Sequence, residues 1–305
     1  MSSTPFIYFS GDSHMAGDEL ADDTLPSWGG YVTHDWIQAE TFADRKIRII
    51  KYKEELAAMT REQTITFNNT IRARHWTTIV CDKHGIKHYN DGLSGSSQES
   101  VLHRAILAFD KFERDGNVPT LAIIQLTNPG RITIYDEITF ISQLYPHDVN
   151  FSRLHTGFDR TILFNFDVVI PDKLRGDSFK NYALAHMDVE SKTGNSIRWL
   201  TALSATNSYF KEKTGRYPIY IKSLKFSLKY YTTEADANEN LSSSPEYKSL
   251  VNQSRLHMLD TSIWELSHGD ADNLLCPNYH HTPQTHANFA QFIAPHVLQE
   301  LNNVS

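Results

Sequence analysis

Cysteine is scarce in this chain: Cys81 and Cys276 are the 2 examples among 305 residues. That is too few for a disulfide framework, and no CxxC pair marks a zinc knuckle, although a single bridge could form. A basic excess is also lacking. The 36 Asp and Glu outnumber the 29 Lys and Arg, leaving a net charge of -7, which argues against a general nucleic-acid binder. No apolar run approaches the ~20 residues that span a bilayer, so no membrane insertion is expected. The opening residues, MSSTPFIYFSGDS, have neither a basic start nor an apolar stretch of signal-peptide length. Export through such a signal is disfavoured, which leaves the compartment open, release by lysis or carriage in a larger particle included. What is present is core material. Apolar residues make up 40% and aromatics 11%, too much for a disordered chain. The length suits two domains of ~150 residues or one α/β domain with insertions.

Short β-type runs alternate with helical patterns. Phe6-Ile7-Tyr8-Phe9 stops at a Gly-Asp-Ser turn, residues 121–126 (LAIIQL) follow a Pro119 breaker, and residues 217–224 (YPIYIKSL) follow Gly215. Between them, residues 97–113 carry Val101, Ile106, Leu107 and Phe109 on a helical stripe, with Ser96 or Ser97 as N-cap. Residues 179–213 contain few breakers, and residues 285–301 place Phe289, Phe292, Ile293 and Val297 at helical spacing. Strands separated by helices predict a mostly parallel sheet covered on both faces. Two stretches depart from that alternation. Residues 64–67, 77–81 and 86–89 read as strands, as do residues 139–144 and 162–170. Both stretches are expected to be β-rich insertions, at about 35–85 and 132–178, within a single domain covering 1–305. Residues 232–245 read as a polar surface loop.

Four local patterns carry chemistry. Gly11-Asp12-Ser13 puts a hydroxyl on the turn where the first strand ends, at the rim where open α/β sheets build their sites; a tight turn or N-cap explains it equally well. Leu93-Ser94-Gly95-Ser96-Ser97 opens a helix with small residues, freeing backbone N–H groups for negative charge, or simply caps the helix. Asn128, behind the run at 121–126, could donate its amide to a developing oxyanion, with Arg131 close by; Asn-Pro-Gly is also ordinary turn chemistry. His280 and His281 precede the last helix, where an imidazole can act as general base. Their spacing to His286 lacks the HExxH geometry and no cysteine stands at ligand distance, so a zinc site is disfavoured against a base or a polar loop.

Taken in order, these patterns resemble the blocks of the SGNH (GDSL-type) hydrolases. Ser10-Gly11-Asp12-Ser13, followed by Ser27-Trp28, is similar to the first block, and residues 93–102 to the second. Thr127-Asn128 is similar to the third, and His280 with His286 and Phe289-Ala290 to the fifth. The resemblance implies a three-layer α/β/α, flavodoxin-like fold with a mostly parallel sheet. It also implies Ser13 as nucleophile, His280 as general base, and an oxyanion hole from the N–H groups of Ser13 and Gly95 with the Asn128 amide. No metal or organic cofactor is implied.

Two departures stand out. The family has Asp two or three residues before its His, whereas this chain has Asn278 and Pro277 there. Asn278, Asp270 or Asp272 could orient the imidazole, or a backbone carbonyl could leave a working dyad. The adjacent His281 is an alternative base. The resemblance implies a serine esterase for small acyl esters, O-acetyl groups on carbohydrate above all. Trp28, Tyr31, Trp36 and Tyr279 are available to stack on sugar rings. The absent Asp and the insertions make a catalytically impaired binding or structural relative the alternative. Expected partners are small-molecule or carbohydrate esters, with no nucleic acid and no membrane; oligomeric state is left open.

Overall fold

A computed structural model describes residues 5–17, 19–26, 28–33, 39–93, 96–127, 131–134, 160–163, 192–222, 257–258, 263, 274–276 and 280–302. In chain order the strands are β1 (Phe6–Ser10), β2 (Val32–Thr33), β3 (Lys87–Asn90), β4 (Leu121–Gln125), β5 (Arg131–Ile134), β6 (Arg160–Leu163), β7 (Ile219–Ile221), β8 (His257–Met258) and β9 (Leu274–Leu275). The helices are α1 (Ser13–Ala16), α2 (Phe42–Ala58), α3 (Arg61–Arg74), α4 (Trp76–Lys83), α5 (Gln98–Arg114), α6 (Lys192–Thr214) and α7 (Pro283–Asn302).

β1 is buried along its length, and its side chains alternate between two cores. Ile7 and Phe9 pack with Trp76 and Val80 of α4 and Phe289, Ile293 and Val297 of α7. Phe6 and Tyr8 pack with Val101, Ala105 and Phe109 of α5 and Leu203 and Phe210 of α6. Period-two alternation between two helical layers is what a strand covered on both faces requires. Each of these large apolar side chains contributes about 1.5–3 kcal/mol by leaving water. The sheet order is β3-β1-β4-β7-β8, every neighbouring pair parallel. Counted within the sheet this is 2-1-3-4-5, the flavodoxin-like order, so the α/β/α architecture is as expected and the strand order, not the strand direction, reverses between β1 and β4.

The described residues between β2 and β3, 39–86, are helical and not β-rich. Residues 64–67 lie in α3 and residues 77–81 in α4. A reciprocal capping box explains the start of α3: the Thr60 hydroxyl accepts from the Gln63 N–H at 3.2 Å, and the Gln63 side chain accepts from the Thr60 N–H at 2.9 Å. That helix ends at Arg74, where the extended His75 stops it and caps α4 in turn, so each short β-branched run lies inside a capped helix with no Gly or Pro before Gly85. Residues 87–90, by contrast, are an edge strand of the main sheet. Of the second stretch, β6 pairs antiparallel with β5, and residues 139–144 lie outside the described residues, as do 179–191 and 232–245.

The stripe of α5 also differs from the expectation. Buried positions are Val101, Arg104, Ala105, Ala108, Phe109 and Phe112, whereas Ile106 is exposed. Its N-cap is Ser97, whose hydroxyl accepts from the Ser100 N–H at 3.1 Å.

Candidate active site

The reversal between β1 and β4 makes a crevice beyond their carboxyl ends, and the Gly11-Asp12-Ser13 turn lies there. Gly11 has no room for a side chain: a Cβ would stand 2.6 Å from Cβ of Gln125. Asp12 holds the turn, its Oδ1 accepting from the His14 N–H at 3.2 Å and from the Gln125 amide. Ser13 is the first residue of α1. The chain after β3 presses against the same short helix. A Cβ on Gly92 would approach Ala16 N to 2.4 Å, and Asn90 Nδ2 donates to the Met15 carbonyl at 2.8 Å.

Beneath this crevice lies a fully buried guanidinium. Arg104 Nη1 donates to Ser96 Oγ at 2.6 Å and Ser100 Oγ at 2.7 Å, while Nη2 donates to the Gly11 carbonyl at 3.1 Å and Ser10 Oγ at 3.3 Å. Its Nε lies 3.7 Å from Asp91 Oδ2, and both side chains are 2% exposed. Asp91 also accepts from the Tyr8 hydroxyl at 2.6 Å. One permanent charge therefore ties the ends of β1 and β3 to the loop that opens α5. Burial first, and then the Asp91 charge, pushes the Tyr8 phenol well above its ordinary value.

On the other side of α1, His280 Nδ1 lies 2.7 Å from Glu19 Oε2. A carboxylate can only accept, so Nδ1 carries the proton and Nε2 is left as the basic nitrogen. The His280 backbone N–H donates to the same oxygen at 3.4 Å. The Glu19 side chain is 2% exposed and that of His280 is 16% exposed. Glu19 also holds a left-handed backbone, φ 67°, the only non-glycine residue to do so among the described residues. Such strain persists only where surrounding contacts fix it, and it clusters at functional sites. Neighbouring contacts supply that fixing. Arg74 donates to the Leu20 carbonyl at 2.9 Å and to Asp23, and the Asp22 N–H donates to the Glu19 carbonyl at 3.1 Å.

Around the pair lies a group of histidines. The His14 ring is 5.0 Å from that of His280 and 4.9 Å from that of His281, and His75 and His286 follow at 4.8 Å from one another. His75 caps α4: its Nδ1 accepts from Thr77 N–H at 3.2 Å and lies 2.7 Å from the Thr77 hydroxyl, while Nε2 donates to the His14 carbonyl at 3.2 Å. Both contacts use the neutral ring. Burial lowers His75 to about 4. It pushes His286 well below the ordinary histidine value too, with charge on His75, His281 and His280 adding to the effect.

Of the residues expected from sequence, His280 and His281 come together beside α1, the helix that Ser13 opens. His281 is wholly buried and bridges Leu275, whereas the His280 ring reaches solvent. Gly95, Asn128, Asn278, Asp270, Asp272, Trp36 and Tyr279 lie outside the described residues. Cys81 and Cys276 are both buried and free, so no bridge joins them. Sequence reasoning assigned no role to Glu19, Arg104, His14 or His75. Arg104 had a legible signal, an arginine on the stripe of Val101, Ala105 and Phe109. Glu19 had a fainter one, a carboxylate six residues beyond Ser13. Among the described residues no group of three His, Cys, Asp or Glu side chains could hold a metal ion, and no helix is long and apolar enough to cross a membrane.

No family model and no curated protein matches the sequence. Among solved structures, the chain is similar to an acetyl xylan esterase (Est2A) from the rumen bacterium Butyrivibrio proteoclasticus. The TM-score is 0.43 at 11% identity, covering 99% of this chain and 66% of that one. The chain thus spans just under two thirds of the length of that enzyme.

Proposed function

We propose that the protein is a serine esterase of the SGNH type, cleaving small acyl esters on carbohydrate, O-acetyl groups above all, through an acyl-enzyme on Ser13. The observation that carries this reading is the buried Glu19 carboxylate bound to Nδ1 of His280, beside the helix that Ser13 begins. Ser13 Oγ attacks the ester carbonyl while Nε2 of His280 takes its proton. The negative oxygen of the tetrahedral intermediate accepts from the N–H groups of Ser13 and Gly95 and from the Asn128 amide. Collapse expels the alcohol, which leaves with the proton from His280. Water then repeats the sequence on the acyl-enzyme, releasing the acid and restoring Ser13. Glu19 fixes the tautomer and stabilises the imidazolium that forms, the part that a carboxylate plays in a Ser-His-Asp triad.

The reading as an impaired relative drew on the lack of Asp ahead of His280. Glu19 supplies that charge from elsewhere in the chain, and this favours catalysis. His280 is preferred over His281 because its ring, not the wholly buried one, carries the carboxylate and reaches solvent. One domain covering 1–305, with insertions near 35–85 and 132–178, accommodates the proposal. A fluorophosphonate probe tests it: the wild type should label, Ser13→Ala should not, and His280→Ala should label far more slowly. A wild-type protein that hydrolyses no acetyl ester and takes no label would leave a binding protein.

A further inference from the structure

The helix α1 that Ser13 opens is a single turn, and a helix so short leaves its last carbonyls without partners of its own. Two side chains from outside supply donors instead. Asn90 Nδ2 donates to the Met15 carbonyl at 2.8 Å, and His75 Nε2 donates to the His14 carbonyl at 3.2 Å. The His75 ring also lies against the end of the turn: at Gly17, whose φ is +79°, a Cβ would stand 3.0 Å from His75 Cδ2. His75 is held in its turn. The Thr77 N–H at the start of α4 donates to its Nδ1 at 3.2 Å, which obliges the ring hydrogen to sit on Nε2. The helix α4 is itself anchored in the core, where Trp76 meets the rings of Phe9 and Phe289 edge-on, with centres 5.2 and 5.1 Å away.

We infer that His75 is a positioning residue for the proposed reaction, holding the backbone of His14 and with it the orientation of Ser13; the inference rests on the esterase reading. His14 is the residue through which such a grip acts on nucleophile and base together. It follows Ser13 in the chain, and its ring lies 5.0 Å from that of His280. A turn free to tilt would carry Ser13 and the His14 ring off their places at once. Capping alone does not call for a histidine. An N-cap needs one acceptor, which Ser, Thr, Asp or Asn supplies with fewer atoms. The imidazole adds a donor on the far side of its ring, and that donor meets α1. Burial keeps the ring neutral around pH 7, with one nitrogen accepting and the other donating. His75 does not reach the reacting atoms and acts only through His14. The stretch that reads as an insertion in the sequence thus supplies the support behind the nucleophile.

Asparagine and glutamine divide the two contacts of the ring. Asn puts an oxygen where Nδ1 stands and reaches no further, so His75→Asn should keep the α4 cap and lose the His14 carbonyl. Gln extends its amide nitrogen to the place of Nε2, so His75→Gln should keep the grip and lose the cap. On p-nitrophenyl acetate, kcat should fall about tenfold to a hundredfold in His75→Asn, with KM little changed and the melting temperature near that of the wild type. His75→Gln should recover most of that kcat while melting lower. Equal kcat in the two variants, or losses that follow the melting temperature, would overturn the proposal and leave His75 as a cap. Amide hydrogen exchange gives a second readout that needs no turnover. The Met15 and Ala16 N–H groups, bonded to the Asp12 carbonyl at 3.0 and 2.8 Å, should exchange about tenfold faster in His75→Asn than in His75→Gln. Equal exchange rates would overturn the grip itself. A wild type that cleaves no ester yet shows this difference would retire the esterase reading and keep the hold on α1.

Discussion

Two buried carboxylates near α1, Asp91 and Glu19, have partners of opposite kinds. Asp91 meets a guanidinium that is always charged and a phenol held neutral, with every partner sealed from water. Glu19 meets an imidazole whose ring is 16% exposed and whose second nitrogen remains a base. The first arrangement fixes charge and geometry permanently. The second, under the proposed mechanism, holds a proton that can move. A chain that buries a carboxylate must give it a partner, and the choice of Arg or His decides whether the site is scaffold or chemistry.

Substitutions should separate the two. Glu19→Gln keeps size but supplies an amide that can donate to Nδ1, which stabilises the wrong tautomer. Turnover should fall about a thousandfold to ten-thousandfold while thermal unfolding changes little, measured by ester hydrolysis and calorimetry side by side. Arg104→Met should show the reverse emphasis. It strands Asp91 without its cation, so denaturant unfolding should register a loss of about 3–5 kcal/mol; a loss of activity alone, without one of stability, would contradict the scaffold role.

His75 offers a third case, a buried group kept uncharged. Its folded value of about 4 lies below the ordinary 6.5, so the unfolded chain takes the proton first. Stability should be complete above about pH 6.5 and decline as pH falls toward 4, by on the order of 3 kcal/mol from this residue. His14, His281, His286 and His88 share the neighbourhood, and His75→Gln should flatten the pH dependence without abolishing it. Thr60→Ala sets the bottom of the scale. It removes an exposed capping box remote from both carboxylates and should cost about 1 kcal/mol, read from the denaturation midpoint, with activity intact.

Sequence made the sheet legible and the insertion illegible for one physical reason. The runs at 6–9 and 121–126 are apolar on both faces, so only a strand between two layers can bury them. The runs at 64–67 and 77–81 look alike over four or five residues, but the signals around them are helical. Thr60-Arg61-Glu62-Gln63 is a capping box for the first, His75 with Thr77 caps the second, and no Gly or Pro follows until Gly85. A window of four residues was too short to weigh the cap against β-branching. The site divides the same way. His280 was visible from its place before a helix and its spacing to His286. Glu19 stands 261 residues away along the chain and reaches the imidazole through tertiary structure. A search for acids near His280 in sequence, among Asp270, Asp272 and Asn278, could not reach it.

If Glu19 and His280 act as one unit on Ser13, their effects cannot be independent. A double-mutant cycle on the rate of fluorophosphonate labelling measures this directly. Glu19→Gln and His280→Ala should each slow labelling, and the double variant should be no slower than His280→Ala alone. Losses that multiply would mean that the carboxylate acts on something other than the imidazole, and the pairing would have to be abandoned as the basis of the chemistry.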